Sequence, residues 1–371
     1  RTVPGTGRVS LAWKDVYEKQ QIANATLTGN HIIASNFIIN WVGAYSKATL
    51  NRPDEGTLNA QNIVSQNSDK TSLVATPVNI SDGTREFTHS TDEDKSGYLN
   101  LTYKSAFGDT HIDWSAGGMY RNKERASDYD EYQLTPDGNF GYDGSGNLTG
   151  HTFILSSNPA GSGSNALNYE ATENIGAAYA MATLDWEKLH LAGGIRWEHT
   201  GFSWINNVPA SSNDGHTGKI RYYDVLPSAN IKYSLNGNQA LRFSYYAAIS
   251  RPNFYEVVPH ILQEAEDDYA EEGNPYLKHS TSNNFDLKYE YYFTGIDEIL
   301  AGVFYKMIRN PIEYALTNNG NLGDTSAVNS GTFLYAHDHP FGHASNYGFE
   351  LDATKYFSWF GIKANYTFTD S

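Results

Sequence analysis

The sequence predicts an all-β fold, the wall of a large transmembrane antiparallel β-barrel, with about a dozen strands in these 371 residues. Three observations predict it. Strand-like segments come in pairs joined by very short turns, and a long polar connection separates each pair from the next. That asymmetry belongs to barrels with short turns on one side of a membrane and long loops on the other. Within each segment the side chains alternate with period two, so apolar and polar residues take opposite faces. Most segments also run about 11 residues or more, against about 5 to 6 for ordinary strands and about 9 to 11 for a tilted spanning strand.

The hairpins follow in order. Residues 97–107 turn at Gly108 and Asp109 into 110–125, and residues 174–186 turn around Glu187 and Lys188 into 189–204. Residues 220–235 turn at Gly237 and Asn238 into 239–250, residues 285–293 turn at Thr294 and Gly295 into a strand ending at Met307, and residues 347–356 turn near Ser358 into 360–370. The connections at 48–93, 125–172, 202–218, 251–280 and 310–344 are read as loops projecting from the extracellular end. Structureless loops beyond about 12 to 15 residues are uncommon in compact soluble domains. Five of them on alternate connections place one end of the sheet against open space.

Alternation assigns the faces. Phe285, Leu287, Tyr289, Tyr291 and Phe293 share one face, expected to meet lipid, and Asp286, Lys288 and Glu290 share the other, expected to line the lumen. Leu241, Phe243 and Tyr245 oppose Arg242 and Ser244, Leu191, Ile195 and Trp197 oppose Arg196 and Glu198, and Phe349 and Leu351 oppose Glu350 and Asp352. A soluble, carbohydrate-binding β-sandwich alternates in the same way, and stands as an alternative that would purify without detergent.

Composition agrees. The 27 Tyr, 17 Phe and 7 Trp gather at strand ends (Trp41, Tyr45, Trp114, Tyr120, Trp186, Trp197, Trp204 and Trp359 among them), where amphipathic rings suit membrane interfaces. The mean hydropathy of -0.53 fits a wall that is apolar on alternate residues only. No run of about 18 apolar residues exists, which excludes a helical span. The absence of Cys removes disulfides, thiolate metal sites and Cys nucleophiles. A net charge of -16 argues against nucleic acid as a partner. No Gly-x-Ser-x-Gly, His-Glu-x-x-His or phosphate-binding glycine loop is present, so neither an enzyme nor a resident cofactor is expected.

Three runs carry a family resemblance: SRPNFYEVVP (250–259), GNPYLKHSTSNNFDLKYEYYF (273–293) and AGVFYKMIRNPIE (301–313). In that order they resemble the barrel signature of TonB-dependent outer-membrane receptors, with TENIGAAYAMATL, GGIRWEHT and NYTFTDS similar to flanking strands. The resemblance covers roughly residues 172–371. It implies a 22-stranded barrel in a Gram-negative outer membrane with an N-terminal plug in its lumen. It also implies import of a scarce small or medium-sized ligand (metal chelate, oligosaccharide or peptide) with energy from the TonB complex. A passive porin or a long-loop adhesin with the same wall is the alternative. No plug and no TonB box is found near Arg1. Because an open sheet edge is not tolerated in lipid, residues 1–371 are expected to be a section of one barrel domain, with the plug and the closing C-terminal strands lying outside them.

The motif residues also have plain readings. Pro252 ends its strand for want of a donor, and Gly273, Asn274 and Pro275 form a turn. Inner charges such as Arg196, Glu198, Arg242 and Glu290 are expected to form cross-strand ion pairs or to contact a plug. Ligand-binding candidates lie in the loops. Glu264, Asp267 and Asp268 belong to a run of seven carboxylates between Arg251 and Lys278, with Tyr269 beside them. His337, His339 and His343 cluster within seven residues. Both groups equally describe ordinary solvated loops. Tyr129, Tyr132, Tyr142 and Tyr335 offer flat amphipathic surfaces for a ligand, and the acidic run disfavours a strongly anionic one. Residues 137–147 hint at a calcium loop but fail its pattern: the sixth position from Asp143 is Leu148 and the twelfth is Ile154.

Overall fold

The computed structural model describes residues 8–66, 73–75, 78–138, 141, 149–157, 167–207, 216–262, 271–293, 297–317, 324–329 and 342–371. At one edge of the wall, β1 (Arg8–Val16) and β2 (Lys19–Ile33) pair in tandem with successive parts of β3 (Phe37–Gln66), acting as one interrupted strand. The short β4 (Leu73–Ala75) pairs with the far end of β3. Next come β5 (Asn79–Phe107), β6 (Thr110–Pro136) with the short β7 (Phe153–Ser157) alongside, β8 (Tyr169–Trp186), β9 (Leu189–Asn206), β10 (Thr217–Asn236) and β11 (Gln239–Ser250). A single-turn helix α1 (Phe254–Val257) and the two-residue strands β12 (Ile261–Leu262) and β13 (Glu271–Glu272) precede β14 (Ser280–Tyr292) and β15 (Glu298–Arg309). A small hairpin, β16 (Ile312–Thr317) and β17 (Asp324–Asn329), separates these from β18 (His343–Tyr356) and β19 (Gly361–Asp370).

Counting β1 and β2 as one strand, the wall is a continuous sheet of twelve, in the order β1/β2, β3, β5, β6, β8, β9, β10, β11, β14, β15, β18, β19, antiparallel at every step. This meets the expected dozen. No second sheet packs face to face on it among the described residues, so the sandwich alternative fails. A separate four-stranded sheet, β12-β13-β17-β16, joins parts of the last two long connections.

The turns at Gly108 and Asp109, Glu187 and Lys188, Gly237 and Asn238, and around Ser358 stand where the sequence places them. The turn at Thr294 and Gly295 lies outside the described residues. One hairpin escaped the sequence reading: Ala34 and Ser35, with φ of 51° and 57°, turn β2 into β3 without a Gly or Pro to announce it. Adjacent hairpins are tied at this end by backbone hydrogen bonds. Lys104 N–H donates to the Asn36 carbonyl, Ser234 N–H to that of Lys188 and Tyr292 N–H to that of Asn238, each at 2.8 Å.

Register turns the alternation into a belt. Ile231, Phe243, Leu287, Val303, Phe349 and Phe368 are successive direct partners across six strands, all on one face. The ring pairs Tyr245–Phe285 and Phe349–Phe368 pack within that face at 5.0 and 5.6 Å. Leu287 remains 49% exposed and Val303 55%, so this face is an unburied apolar surface. The opposite face carries the charges and is the one that loop segments cover. Glu290, 5% exposed, there accepts from Arg242 Nε at 3.0 Å. We call these the outer and inner faces. Trp204 corrects the expected aromatic belt: it shares the even-numbered face of β9 with Glu198 and lies buried inside, whereas Trp197 lies outside.

The long connections need a larger correction. Pairing between β3 and β5 runs from Phe37 opposite Tyr103 to Gln61 opposite Asn79, so most of 48–93 is sheet. The strands also reach into the ends of 125–172, where β6 continues to Pro136 and β8 starts at Tyr169, and of 202–218, where Thr217 already pairs with Ile205. The loop expectation rested on the loss of an apolar face. A ladder of backbone hydrogen bonds needs no apolar face where both sides are wet, and cross-strand pairs such as Lys47–Glu93, 2.8 Å apart, hold this taller part of the wall. The segment 251–280 departs further: its described part turns inward over the inner face, and so does not project.

Candidate functional site on the inner wall

Period-two geometry gathers the site. In β6 the odd residues point inward, so Arg121, Lys123 and Arg125 form a vertical row of cations. Their partners in β5 are also inward: Arg121 Nε donates to Asp94 Oδ2 at 2.7 Å and Arg125 lies 3.4 Å from Asp92. Across β8 and β9 stand Glu173, Arg196 and Glu198, and Arg196 Nε donates to Glu198 Oε2 at 2.8 Å. This pair runs along one strand, rather than across strands as expected.

Arg251 closes the cluster from above. It contacts Glu198, donates through Nε to Thr200 Oγ1 at 3.1 Å and lies 4.0 Å from Glu173. Pro252 then stops the strand, and the chain enters α1 through a full capping box. Asn253 Oδ1 accepts from the Glu256 N–H at 2.9 Å, and Glu256 Oε2 accepts from the Asn253 N–H at 2.8 Å. Phe254, Val257, Val258 and Leu277 bury against Tyr169, Ala171, Phe202 and Trp204 of the inner wall. Burying an apolar side chain of this size is worth about 1.5–3 kcal/mol, which is why the segment folds inward. Asn206 Nδ2 donates to the Pro259 carbonyl at 2.8 Å and pins the far side. Gly273 packs so tightly on the Val258 carbonyl that no Cβ fits there, so the Gly-Asn-Pro turn is a close-approach site as well as a bend.

Arg121, Lys123, Arg125 and Arg251 converge with Glu173, Phe202 and Phe254 on one cavity of about 290 Å³. Lys123 Nζ sits 5.1 Å above the Phe254 ring. Burial holds the Arg251 guanidinium below the usual arginine range; Glu173 pulls it back up, while the charges of Arg121 and Arg196 add to the lowering. Beside the cluster His279 stacks on Tyr222 at 3.8 Å and places Nε2 2.9 Å from Asp224 Oδ1. The arrangement has charge-assisted donors and an aromatic floor suited to an anionic group. Among the described residues no cluster of three or more His, Cys, Asp or Glu is placed to hold a metal.

Of the loop candidates, Glu264, Asp267, Asp268, Tyr269, His337 and His339 lie outside the described residues, as do Tyr142 and Tyr335. His343 opens β18 opposite Arg309. Tyr129 is not a presented ligand surface: it is 7% exposed on the inner face, with its hydroxyl 3.2 Å from Glu131. The sequence reading passed over Arg121, Lys123 and Arg125, although their spacing at i, i+2, i+4 marks one face of a strand.

A twelve-stranded antiparallel wall with an apolar outside and a charged inside is the architecture of an outer-membrane β-barrel. The profile of the outer membrane protein beta-barrel family matches residues 49–371, and the chain belongs to that family. No curated protein sequence matches it. Among solved structures it is similar to the ferric-catecholate import receptor Fiu of E. coli K12 in its closed form, at 14% identity and a TM-score of 0.56 over 96% of this chain and 48% of that one. It is also similar to the siderophore receptor PiuA of Acinetobacter baumannii, at 12% identity and a TM-score of 0.52 over 99% of this chain and 60% of that one. The chain thus spans about half the length of these receptors. At such identities the likeness is one of fold, and it agrees with the barrel of the TonB-dependent receptors and with an outer-membrane location.

Proposed function

We propose that this wall belongs to an import receptor that captures a small or medium-sized ligand outside the cell and moves it inward with energy supplied by the TonB complex. The plug through which that energy acts, and the strands that complete the barrel, are assigned to polypeptide outside these residues, because neither sheet edge is tolerable in lipid unpaired. The reading is carried by the inner-wall cluster, in which four cations meet at one cavity beneath an inward-folded segment at the loop end. Metal chelates, oligosaccharides and peptides remain the ligand classes. The cavity favours members bearing carboxylate, phosphate or catecholate groups, whereas the acidic run that would disfavour them lies mostly outside the described residues.

Uptake tests this directly. The full-length receptor is expressed in an outer membrane stripped of its own receptors, and accumulation of ferric citrate, ferric catecholates, heme and oligopeptides is followed with and without a protonophore. Energy-dependent accumulation of one of them, lost in an Arg121→Ala, Arg125→Ala double variant, supports the proposal. Uptake that is passive and indifferent to the protonophore identifies a porin.

A further inference from the structure

Three of the four cations that line the inner-wall cavity already have carboxylate partners. Arg121 donates to Asp94, Arg125 lies 3.4 Å from Asp92, and Arg251 contacts Glu198 and stands 4.0 Å from Glu173. Lys123 is the exception. Its direct cross-strand partners are Asp94 on β5 and Glu173 on β8, the carboxylates that Arg121 and Arg251 engage. Among the described residues none comes within ion-pair reach of Lys123 Nζ, and the ammonium instead lies 5.1 Å above the Phe254 ring. Other acids nearby are placed elsewhere. Glu124, next along β6, points to the outer face. Asp224 faces His279, and Glu256 accepts from the Asn253 N–H; neither carboxylate lines the cavity. With Arg196, which pairs with Glu198, five cations face four carboxylates, and the cation left over is Lys123. The space is small as well. At about 290 Å³, walled by Pro252, Asn253 and Phe254 on one side, the cavity lies at the lower limit of ligand pockets, about 300–1,000 Å³, and takes one end of a ligand.

Resting on the import reading above, we propose that Lys123 is the residue that takes the ligand's charge, and that the group it takes is a single carboxylate at one end of the ligand. The carboxylate replaces the Phe254 ring as the partner of the ammonium in a charge-assisted hydrogen bond. Arg121 and Arg251, by engaging Asp94 and Glu173, keep both acids off the lysine. A phosphate monoester carries about −1.5 to −2 at pH 7. Its second charge would meet Asp94 and Glu173 with no cation left to answer it, and a buried charge without a partner is disfavoured.

Calorimetric titration of the full-length receptor in mild detergent, with benzoate and with phenyl phosphate as probes, reads the assignment. The wild type is expected to bind benzoate the more tightly. Lys123→Met keeps an apolar stem against Phe254 without the charge, and should weaken benzoate binding about tenfold or more. Lys288→Met, at an inner-face lysine of β14, should leave it unchanged. Glu173→Gln leaves a second positive charge uncompensated and should turn the preference to phenyl phosphate, a readout independent of how the Lys123 variant folds. Heat-modifiable gel mobility and amide exchange at Phe254 check the fold and the seating of the inward segment. A wild type that binds neither probe, or that prefers phenyl phosphate, overturns the proposal. So do undiminished benzoate binding in Lys123→Met, equal losses in the two lysine variants, and a preference unmoved by Glu173→Gln. Uptake separates this from the import reading: loss in the Arg121→Ala, Arg125→Ala double variant, with full benzoate binding and uptake in Lys123→Met, overturns the lysine assignment alone.

Discussion

Leu287→Arg tests the facing of the wall with one residue. Leu287 lies in the apolar row between Phe243 and Val303, half exposed on the outer face, eight residues into β14. An arginine on the lipid face costs about 2–4 kcal/mol near the bilayer midplane. Lys288, one residue on, faces inward beside Arg242, whose own partner is Glu290. Truncating Lys288 to Ala removes a like-charge neighbour and shifts stability by no more than about 1 kcal/mol in either direction. The folded-to-unfolded ratio should therefore fall roughly 30- to 1,000-fold for Leu287→Arg, against a small change for Lys288→Ala. Urea unfolding of the full-length protein in lipid vesicles, followed by tryptophan fluorescence, gives both numbers. Equal effects would mean that the faces are assigned wrongly.

Four further outcomes follow from particular contacts, backbone angles and the placing of the turns. Arg251→Ala leaves the buried Glu198 with Arg196 alone; we expect a loss of about 1–3 kcal/mol, confined to the segment 251–279 and visible as faster amide exchange at Phe254 and Val257 while the strands stay protected. Gly273→Ala drives a Cβ into the Val258 carbonyl, and should raise the labelling of a cysteine placed at Val257, whereas Gly201→Ala, with room around it, should leave that labelling unchanged. Glu187 turns β8 into β9 at a φ of 47°, where an L-residue is strained by about 1–2 kcal/mol, so Glu187→Gly should raise the urea midpoint. Protease added to intact cells should spare Gly108–Asp109, Glu187–Lys188 and Gly237–Asn238, because all three turns share the end opposite the long connections. Cleavage there would reverse the topology.

Whatever depends on nearest neighbours along the strand could be read from the chain alone. Alternation separated Leu287 from Lys288 and Trp197 from Glu198, since successive side chains of any strand diverge by half a turn. Gly108 with Asp109 and Gly237 with Asn238 announced their turns through residues that tolerate unusual backbone angles. The turn at Ala34 and Ser35 gave no such sign, because ordinary residues are held there by the pairing of β2 with β3. The height of the wall was likewise hidden in 48–93, where strands pair through backbone groups that are the same for every sequence. Parity alone suffices to put Arg121, Lys123 and Arg125 on one face of β6, although the sequence reading passed over them. Only the folded chain, however, brings Arg251, some 125 residues later, beside Glu173 and Glu198 and sets Phe254 under Lys123. That convergence rests on register summed across β8, β9, β10 and β11 and on the burial of α1 against Phe202 and Trp204. No local pattern encodes either of them, since each strand's pattern is satisfied equally well by any even shift of its neighbour.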